Sequence, residues 1–574
     1  MCMYKLMRYS LVASVLGATY AIGLAIYLIP YAWIVAVGIV VAALCQKTRR
    51  LTAHGTARWA EASDIPHLLE GNGLILGHIP GKPSRLQGLK ALFDSDLEAK
   101  DACQRFLLSC QRKPAPQLVR LTNAVHTAVF APTGVGKGVS CVIPYLLTCP
   151  ESCVVVDFKG ENARLTADAR RKMGHKVVIL DPYKVVTGTP DTFNPLEFID
   201  ANSPTAIDDC RDLAESLVVR TGQEKEPHWN DSAETWLGAM AVTVVAFAEK
   251  EDKSLQAVRS LLTNPKKMEA AIKLMCESST WEGMLSRMGH QLTQFKEKEL
   301  ASTLTTTNRH LRFLDTLAVA ASTQSSSFNP ADLRSGKMTI YLVLPPEHMR
   351  TQSALLRLWI GALLRAVVRG GLQEKTKAHF ILDEAASLGH MASLDDAVDK
   401  FRGYGIRLQL YYQSLGQLKL CWPEGRDLTL LSNVSQVFFG VNEKETAQYV
   451  SDRLGEQTIV VDSGGMSSSE SRSVPRDGNS NYSYSSSRND NWNQIARRLL
   501  KPEEVTGLDP RIAVTFTPGV PPIWTWLLRY YEGDFKRPGG ISPVKAVVDT
   551  ACLIVVSVGL AAFFTAALVS HTFR

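Results

Sequence analysis

Ala131-Pro-Thr-Gly-Val-Gly-Lys-Gly138 follows the short apolar run His126-Thr-Ala-Val-Phe130 and precedes Val139-Ser-Cys-Val-Ile-Pro-Tyr-Leu-Leu147, whose apolar spacing is helical. A glycine-rich loop between a strand and a helix is a phosphate cradle. Its backbone N–H groups turn inward, the helix N-terminus adds partial positive charge, and a lysine reaches the outer phosphates. In this reading Thr133, Gly134, Val135, Gly136, Lys137, Gly138 and Val139 surround the ligand, and Lys137 compensates the β/γ-phosphate charge. The implied ligand is a nucleoside triphosphate. The pattern G-x-x-x-x-G-K-[ST] is broken twice, by Ala131 at the first glycine and by Gly138 where a hydroxyl ordinarily meets Mg²⁺.

About 245 residues further on, His379-Phe-Ile-Leu-Asp383-Glu384 reads as an apolar strand ending in two adjacent carboxylates. In a Walker B arrangement Asp383 orders Mg²⁺ through water, and Glu384 polarises the water that attacks the terminal phosphate. The separation leaves room for several intervening βα units.

Between and after these motifs the pattern alternates. Strands are expected at Cys153–Phe158, Lys176–Leu180, Thr339–Leu344, Ile406–Tyr412 and Val437–Val441; helices are expected near Ala163–Met173, Ser353–Arg369, Leu394–Arg402 and Glu443–Leu454. Such alternation predicts an α/β fold, a RecA-like P-loop NTPase core with a parallel sheet. Residues from about Pro204 to Ser327 have helical periodicity, as in Ala233–Ala248 and Lys266–Cys276, and read as an all-α insertion suited to recognising cargo. Asp462 to Trp492 is rich in Ser, Asn and Gly with few large apolar side chains, and is expected to be a mobile, disordered loop.

The 574 residues allow two or three domains, and a net charge of +7 is too mild to identify a nucleic acid or a membrane as partner without a localised patch. The 11 cysteines include no C-x-x-C pair and read as buried thiols of a reducing compartment. Cys149-Pro-Glu-Ser-Cys153 is the closest pair, but no second pair with ligand spacing follows, so a structural zinc is not expected.

Tyr9 to Leu44 contains no ionisable Asp, Glu, Lys, Arg or His, and Pro30 interrupts it. A single span needs only about 20 residues. With Lys5 and Arg8 before it and Lys47, Arg49 and Arg50 after it, this segment reads as a transmembrane hairpin with both ends in the cytoplasm. Ala551 to Val569 is a further uncharged run, long enough for a C-terminal transmembrane helix. The expected organisation is an anchor over 1–50, the nucleotide-binding domain over 51–203 and 331–545 with the loop 462–492, the helical insertion over 204–330, and the second membrane segment over 546–574.

Taken together the motifs resemble the coupling proteins of type IV secretion systems, the TraG/VirD-type conjugative transfer ATPases. The resemblance rests on His54-Gly-Thr-Ala-Arg-Trp-Ala60, Ala131–Gly138, Asp157-Phe-Lys-Gly-Glu161, Leu180-Asp-Pro182, Phe193-Asn-Pro195 and His228-Trp-Asn-Asp231. It continues through Leu382-Asp-Glu-Ala-Ala-Ser-Leu-Gly389, Tyr404-Gly-Ile-Arg407 leading to Gln413-Ser-Leu-Gly-Gln417, and Phe438-Phe-Gly-Val-Asn442. It implies an inner-membrane, multi-pass ATPase using ATP and Mg²⁺, with its catalytic domain in the cytoplasm. The implied partners are a DNA–relaxase complex and the secretion channel, in a ring of six chains. Gln413 is similar to the glutamine that senses the γ-phosphate in such motors, and Glu384, Asp383 and Lys137 take the remaining catalytic places. An arginine supplied across a ring interface is expected, with Arg402, Arg407 and Arg453 as candidates. Gly at the position of Gly138 occurs in many members of the family; a near-absent segment between the N-terminal spans and a C-terminal span are departures from it. The same motifs suit a coupling ATPase for protein effectors, or a nucleotide-binding receptor without efficient turnover.

Overall fold

The computed structural model describes residues 53–79, 118–122, 125–220, 226–373, 375–473 and 481–532, and the single positions 19, 106 and 224. Both apolar segments read as membrane spans lie outside the described residues. Among the described residues one helix, Pro346–Arg369, is long and apolar enough to cross a membrane, and two-thirds of its apolar window is buried in the protein core.

The strands are β1 (Leu74–His78), β2 (Leu118–Leu121), β3 (Thr127–Phe130), β4 (Ser152–Asp157), β5 (Lys176–Leu180), β6 (Met338–Val343) and β7 (Ala378–Leu382). They continue with β8 (Ile406–Tyr412), β9 (Ser435–Phe439), β10 (Glu456–Ser473), β11 (Asn481–Arg498), β12 (Ile512–Phe516) and β13 (Ile523–Trp526). Helix α1 (Ile143–Leu146) continues a π-helical turn over Gly138–Val142, and α2 spans Glu161–Lys172. Seven helices follow between β5 and β6: α3 (Ala206–Leu217), α4 (His228–Phe247), α5 (Leu255–Thr263), α6 (Pro265–Cys276), α7 (Met284–Thr293), α8 (Glu297–Leu311) and α9 (Leu317–Thr323). The remainder are α10 (Met349–Arg369), α11 (Ala392–Asp399), α12 (Leu415–Cys421), α13 (Arg426–Asn433), α14 (Lys444–Leu454) and α15 (Pro502–Thr506).

Eleven strands form one sheet in the order β2-β1-β13-β12-β9-β3-β8-β7-β4-β6-β5. The seven from β9 to β5 are parallel, while β12, β13, β1 and β2 extend the sheet antiparallel beyond β9. The parallel strands are apolar and buried on both faces, as Cys153-Val-Val-Val156 in β4 illustrates. Strand alternation then divides the core. Ala128, Phe130, Val154, Val156, Leu410 and Tyr412 pack with Trp236 and Trp359, whereas Val129, Cys153, Val155 and Tyr411 pack with Tyr145 and Ala163.

One expectation differs from the structure. Residues 462–473 and 481–492 are not a featureless loop: β10 and β11 pair antiparallel from Glu456↔Arg498 to Ser473↔Asn481. A two-stranded ladder pairs the backbone N–H and C=O groups of polar residues without needing a large apolar face, which a reading based on composition does not register. The hairpin base receives the His54–Ala60 motif. Thr56 bridges Gln457, the N–H groups of His54 and Gly55 donate to Thr458 Oγ1, and a Cβ on Gly55 would lie 2.2 Å from the Glu456 carbonyl oxygen.

Candidate nucleotide site

Parallel pairing brings Phe130 beside Tyr412 and Phe438, so the loop after β3 opens at the same sheet edge as the ends of β8 and β9. Strand β7 ends one strand further along, beyond β8. Ligands of open α/β sheets bind at this C-terminal edge.

The loop adopts the conformation that a phosphate cradle needs. Gly134 and Gly136 have φ of 87° and 102°, in the left-handed region where a side chain is strained. The Lys137 ammonium is folded over the turn, donating to the carbonyls of Ala131 at 2.7 Å and Pro132 at 3.4 Å. Thr133 and Gly134 are exposed, Val135, Gly136, Gly138 and Val139 half-buried. Gly440, at φ 60°, backs the loop so closely that a Cβ there would lie 2.7 Å from Val135 Cγ1. Arg529, after β13, reaches in from the antiparallel flank: its Nη2 lies 3.9 Å from where a Cβ on Gly136 would stand. Its other terminal nitrogen donates to Tyr531 Oη at 2.9 Å.

The carboxylates converge from the neighbouring strand ends. Asp383 takes no hydrogen bond from the described residues. Its acid is pushed up to about 6, first by burial and then by Glu384 and Asp157, with Lys137 and Lys159 opposing. Asp157 is buried and accepts the Ala163 N–H at 2.8 Å, fixing the start of α2; burial raises its pKa against those N–H bonds. Glu384 sits at φ 58°, in left-handed backbone that a non-glycine residue seldom adopts. This turn aims its carboxylate at Gln413, whose Nε2 donates to Glu384 Oε2 at 3.2 Å and approaches Oε1 at 3.4 Å. The Gln413 N–H is held in turn by Gln417 Oε1 at 2.8 Å.

These residues fit a magnesium–nucleotide pair. Asp383 is a carboxylate that takes no hydrogen bond from the described residues and stands within the field of the Lys137 ammonium, next to a loop of left-handed glycines. A Cβ at Gly138 meets nothing within 4 Å, so the missing hydroxyl reflects the residue and not a lack of space. Ser140, the alternative hydroxyl, is buried under the turn, with its N–H on the Gly136 carbonyl at 2.9 Å.

The structure thus brings Lys137, Asp383, Glu384, Gln413 and the loop together and leaves the three arginines elsewhere. Arg402 and Arg407 flank the start of β8, with Arg407 donating to the Arg402 carbonyl at 3.1 Å, so a whole strand length separates them from the loop of their own chain. Arg453 lies on α14, donating to Tyr449 Oη at 2.7 Å and covering the Phe516 ring at 4.8 Å. Arg529 and the Gly440 buttress escaped the sequence reading, since β13 and β9 reach the loop by pairings that no spacing reveals.

Other motif residues hold the scaffold. Buried Asp181 accepts the N–H groups of Val185, Val186 and Thr187 at 2.9, 2.6 and 3.1 Å. Asn194 caps the turn at Leu196 and donates to the carbonyls of Lys253 and Gln324 at 2.7 and 3.2 Å. Asn230 Oδ1 meets His310 Nε2 at 3.0 Å.

Fold and site define a P-loop protein of RecA-like architecture, with β8 inserted between the strand that leads into the loop and the strand that carries the carboxylate pair. The chain belongs to the family described as type IV secretory system conjugative DNA transfer, which matches residues 103–553. It is 29% identical over 413 residues to the conjugal transfer protein TraG of Rhizobium radiobacter, covering 69% of this chain and 61% of that protein. It is 28% identical over 392 residues to the type IV secretion system-coupling protein VirD4 of Bartonella quintana, covering 67% and 59%. The chain thus spans about three-fifths of the length of these relatives. Among solved structures, the bacterial conjugative coupling protein TrwBdeltaN70 with sulphate aligns over 87% of this chain and 98% of its own, at a TM-score of 0.52 and 16% identity. Plasmid coupling protein TrwB in complex with ADP and Mg²⁺ aligns over 72% and 88%, at 0.50 and 17%. These two likenesses establish the fold.

Proposed function

We propose that the chain is an ATP-hydrolysing coupling protein that recruits a DNA–relaxase substrate to a type IV secretion channel at the bacterial inner membrane and powers its transfer. The observation that carries the hydrolytic part is the Gln413–Glu384 hydrogen bond, which joins the ends of β8 and β7 beside the loop that follows β3. Lys137 and the loop N–H groups bind the β- and γ-phosphates; Lys137 must swing from the Ala131 carbonyl to do so. Glu384, held by its left-handed turn, orients the attacking water and accepts its proton. When bound, Mg²⁺, held by Asp383 through water, supplies charge neutralisation at the phosphates. Gln413, hydrogen-bonded to Glu384 before the nucleotide arrives, exchanges that partner for the γ-phosphate and so reports occupancy along β8. The family resemblance supports assembly as a ring of six and anchoring through the apolar segment at 9–44, and the length of the uncharged run at 551–569 supports a second anchor.

Steady-state phosphate release by the detergent-solubilised chain tests this, with Lys137→Ala and Glu384→Gln beside it and DNA present or absent. Salt-sensitive stimulation by DNA that vanishes in Lys137→Ala is the expected result. Glu384→Gln should still bind ATP while turnover falls by about 10²-fold or more. Wild-type rates in a folded Glu384→Gln chain would overturn the assignment of the base. Hydrolysis indifferent to DNA would redirect the cargo to protein.

A further inference from the structure

At the edge of the sheet away from the nucleotide loop, three ligand-bearing side chains converge from separate parts of the chain. Cys149 Sγ, a Glu151 carboxylate oxygen and a His379 ring nitrogen all lie within 4.8 Å of one another. Cys149 and Glu151 belong to the turn between α1 and β4, and His379 is the second residue of β7, which pairs with β4 through Cys153↔His379. Chain spacing offers only the Cys149 and Cys153 pair; parallel pairing supplies the histidine from 230 positions later, the difference between 379 and 149.

Atoms around the cluster anchor the His379 ring, the Glu151 carboxylate and the backbone of the turn that bears Cys149. Tyr145 Oη lies 2.8 Å from His379 Nδ1, leaving Nε2 to face Glu151 Oε2 at 2.8 Å. The other Glu151 oxygen accepts the Lys377 N–H at 3.0 Å. Arg170 holds the carbonyls of Cys149 and, at 2.5 Å, Glu151, which fixes the turn that presents both side chains. A metal-bound histidine characteristically has its second ring nitrogen anchored in this way, and ligating carboxylates are hydrogen-bonded in turn. Cys149 is buried, as are Tyr145, Cys153 and His379, so the cluster is closed on the protein side, while the partly exposed Glu151 carboxylate leaves a way in for an ion.

We propose that Cys149, Glu151 and His379 form a binding site for a borderline-soft divalent ion, zinc by preference, that staples the turn after α1 to the start of β7. Thiolate, imidazole and carboxylate are the donors that zinc selects, and tetrahedral bonds of about 2.0–2.3 Å separate ligands by about 3.3–3.8 Å. That separation falls inside the 4.8 Å envelope and asks the Glu151–His379 contact to open by about half an ångström. The Cys153 thiol, 3.5 Å from the Arg170 guanidinium, adjoins Cys149. Such a staple joins the helix that leaves the nucleotide loop to the strand that carries Asp383 and Glu384, four and five residues beyond His379, without touching either carboxylate.

The test uses the full chain, purified under reducing conditions, stripped with a chelator and offered Zn²⁺ or Co²⁺ alone. Metal analysis should return about one ion per chain, and Co²⁺ should give a thiolate-to-metal charge-transfer band. Tyr145→Phe, which keeps the packing and loses only the anchoring hydroxyl, should weaken Co²⁺ binding by about tenfold. Cys149→Ser should remove the charge-transfer band, with circular dichroism confirming the fold. A reduced wild-type chain that takes up no Co²⁺, or a Cys149→Ser chain with the wild-type spectrum, overturns the site. So does a Cys149–Cys153 disulfide in the isolated chain if reduction does not restore metal uptake.

Discussion

Glu384 and Gly440 show how much of the site depends on backbone that side chains resist. Glu384 accepts a left-handed turn so that its carboxylate meets Gln413, and such strain costs on the order of 1 kcal/mol or more. Gly440 meets the other condition, where a Cβ is excluded by both φ and the Val135 side chain at 2.7 Å. Gly440→Ala should therefore push the loop off its present course, destabilise the fold by about 1–3 kcal/mol and weaken nucleotide binding severalfold. Isothermal titration with a non-hydrolysable nucleotide, beside a urea melt, checks both parts. Gly138 is the opposite case, since a Cβ there meets nothing. Gly138→Ser should fold normally and tighten nucleotide binding only when Mg²⁺ is present, because the new hydroxyl acts on the ion alone. Equal tightening in chelator would show that the hydroxyl acts elsewhere.

At the level of elements, strands bearing local signals were legible and those defined by their partners were not. Lys176–Leu180 and Ile406–Tyr412 coincide with the strands read from the sequence, because short, mostly apolar runs such as Val177-Val-Ile-Leu180 and Leu408-Gln-Leu-Tyr-Tyr412 leave few alternatives. Strands β1, β2, β12 and β13 drew no notice: they are short, and they exist by pairing with one another and with β9, with His78 of β1 meeting Trp526 of β13 from the far end of the chain. The same asymmetry holds in the site, where the lysine, the carboxylates and Gln413 were named from motifs while Arg529 arrives on the segment that follows β13. The junction of α3, α4 and α8 makes a separate prediction. His310 Nδ1 accepts the Val219 N–H at 3.4 Å and Nε2 faces Asn230 Oδ1 at 3.0 Å, a pattern that only the neutral ring satisfies. Burial, with Arg309, Arg220 and Arg357 nearby and Glu224 opposing, lowers its pKa to about 4. The unfolded chain takes up this proton near pH 6.5 and the folded chain only near 4, so the stability due to His310 is complete above about 6.5 and is lost as pH falls through that window. Urea midpoints at about pH 7.5 and about pH 5 should differ less for His310→Gln than for the wild type, and an unchanged difference would assign the acid sensitivity to other groups.

Across the whole molecule, the helices between β5 and β6 share one core with the sheet. Leu213, Trp236 and Met275 of those helices belong to the same buried cluster as Val154, Leu382 and Leu410 of the strands, and Trp359 of α10 is buried in it as well. Helices that share their core with the sheet should not melt separately from it, so calorimetry should show one transition across both. A second line of contact is polar. Buried Arg357 of α10 donates through Nε to the Ser216 carbonyl of α3 at 3.2 Å, and through Nη1 to the carbonyls of Leu388 and His390 at 2.8 and 2.6 Å. The last two close the loop that begins at Glu384, so one guanidinium ties the helical region to the backbone that carries the Glu384 carboxylate. Under the proposed function, movement of α3 on cargo binding would reach Glu384 through these three bonds. Arg357→Lys, which retains charge and stem but cannot span the three carbonyls, should lower stability by about 2–4 kcal/mol and leave basal hydrolysis within severalfold. Its larger effect should fall on the ratio of DNA-stimulated to basal phosphate release, which should approach one; a preserved ratio in a folded variant would place the coupling in the apolar core instead.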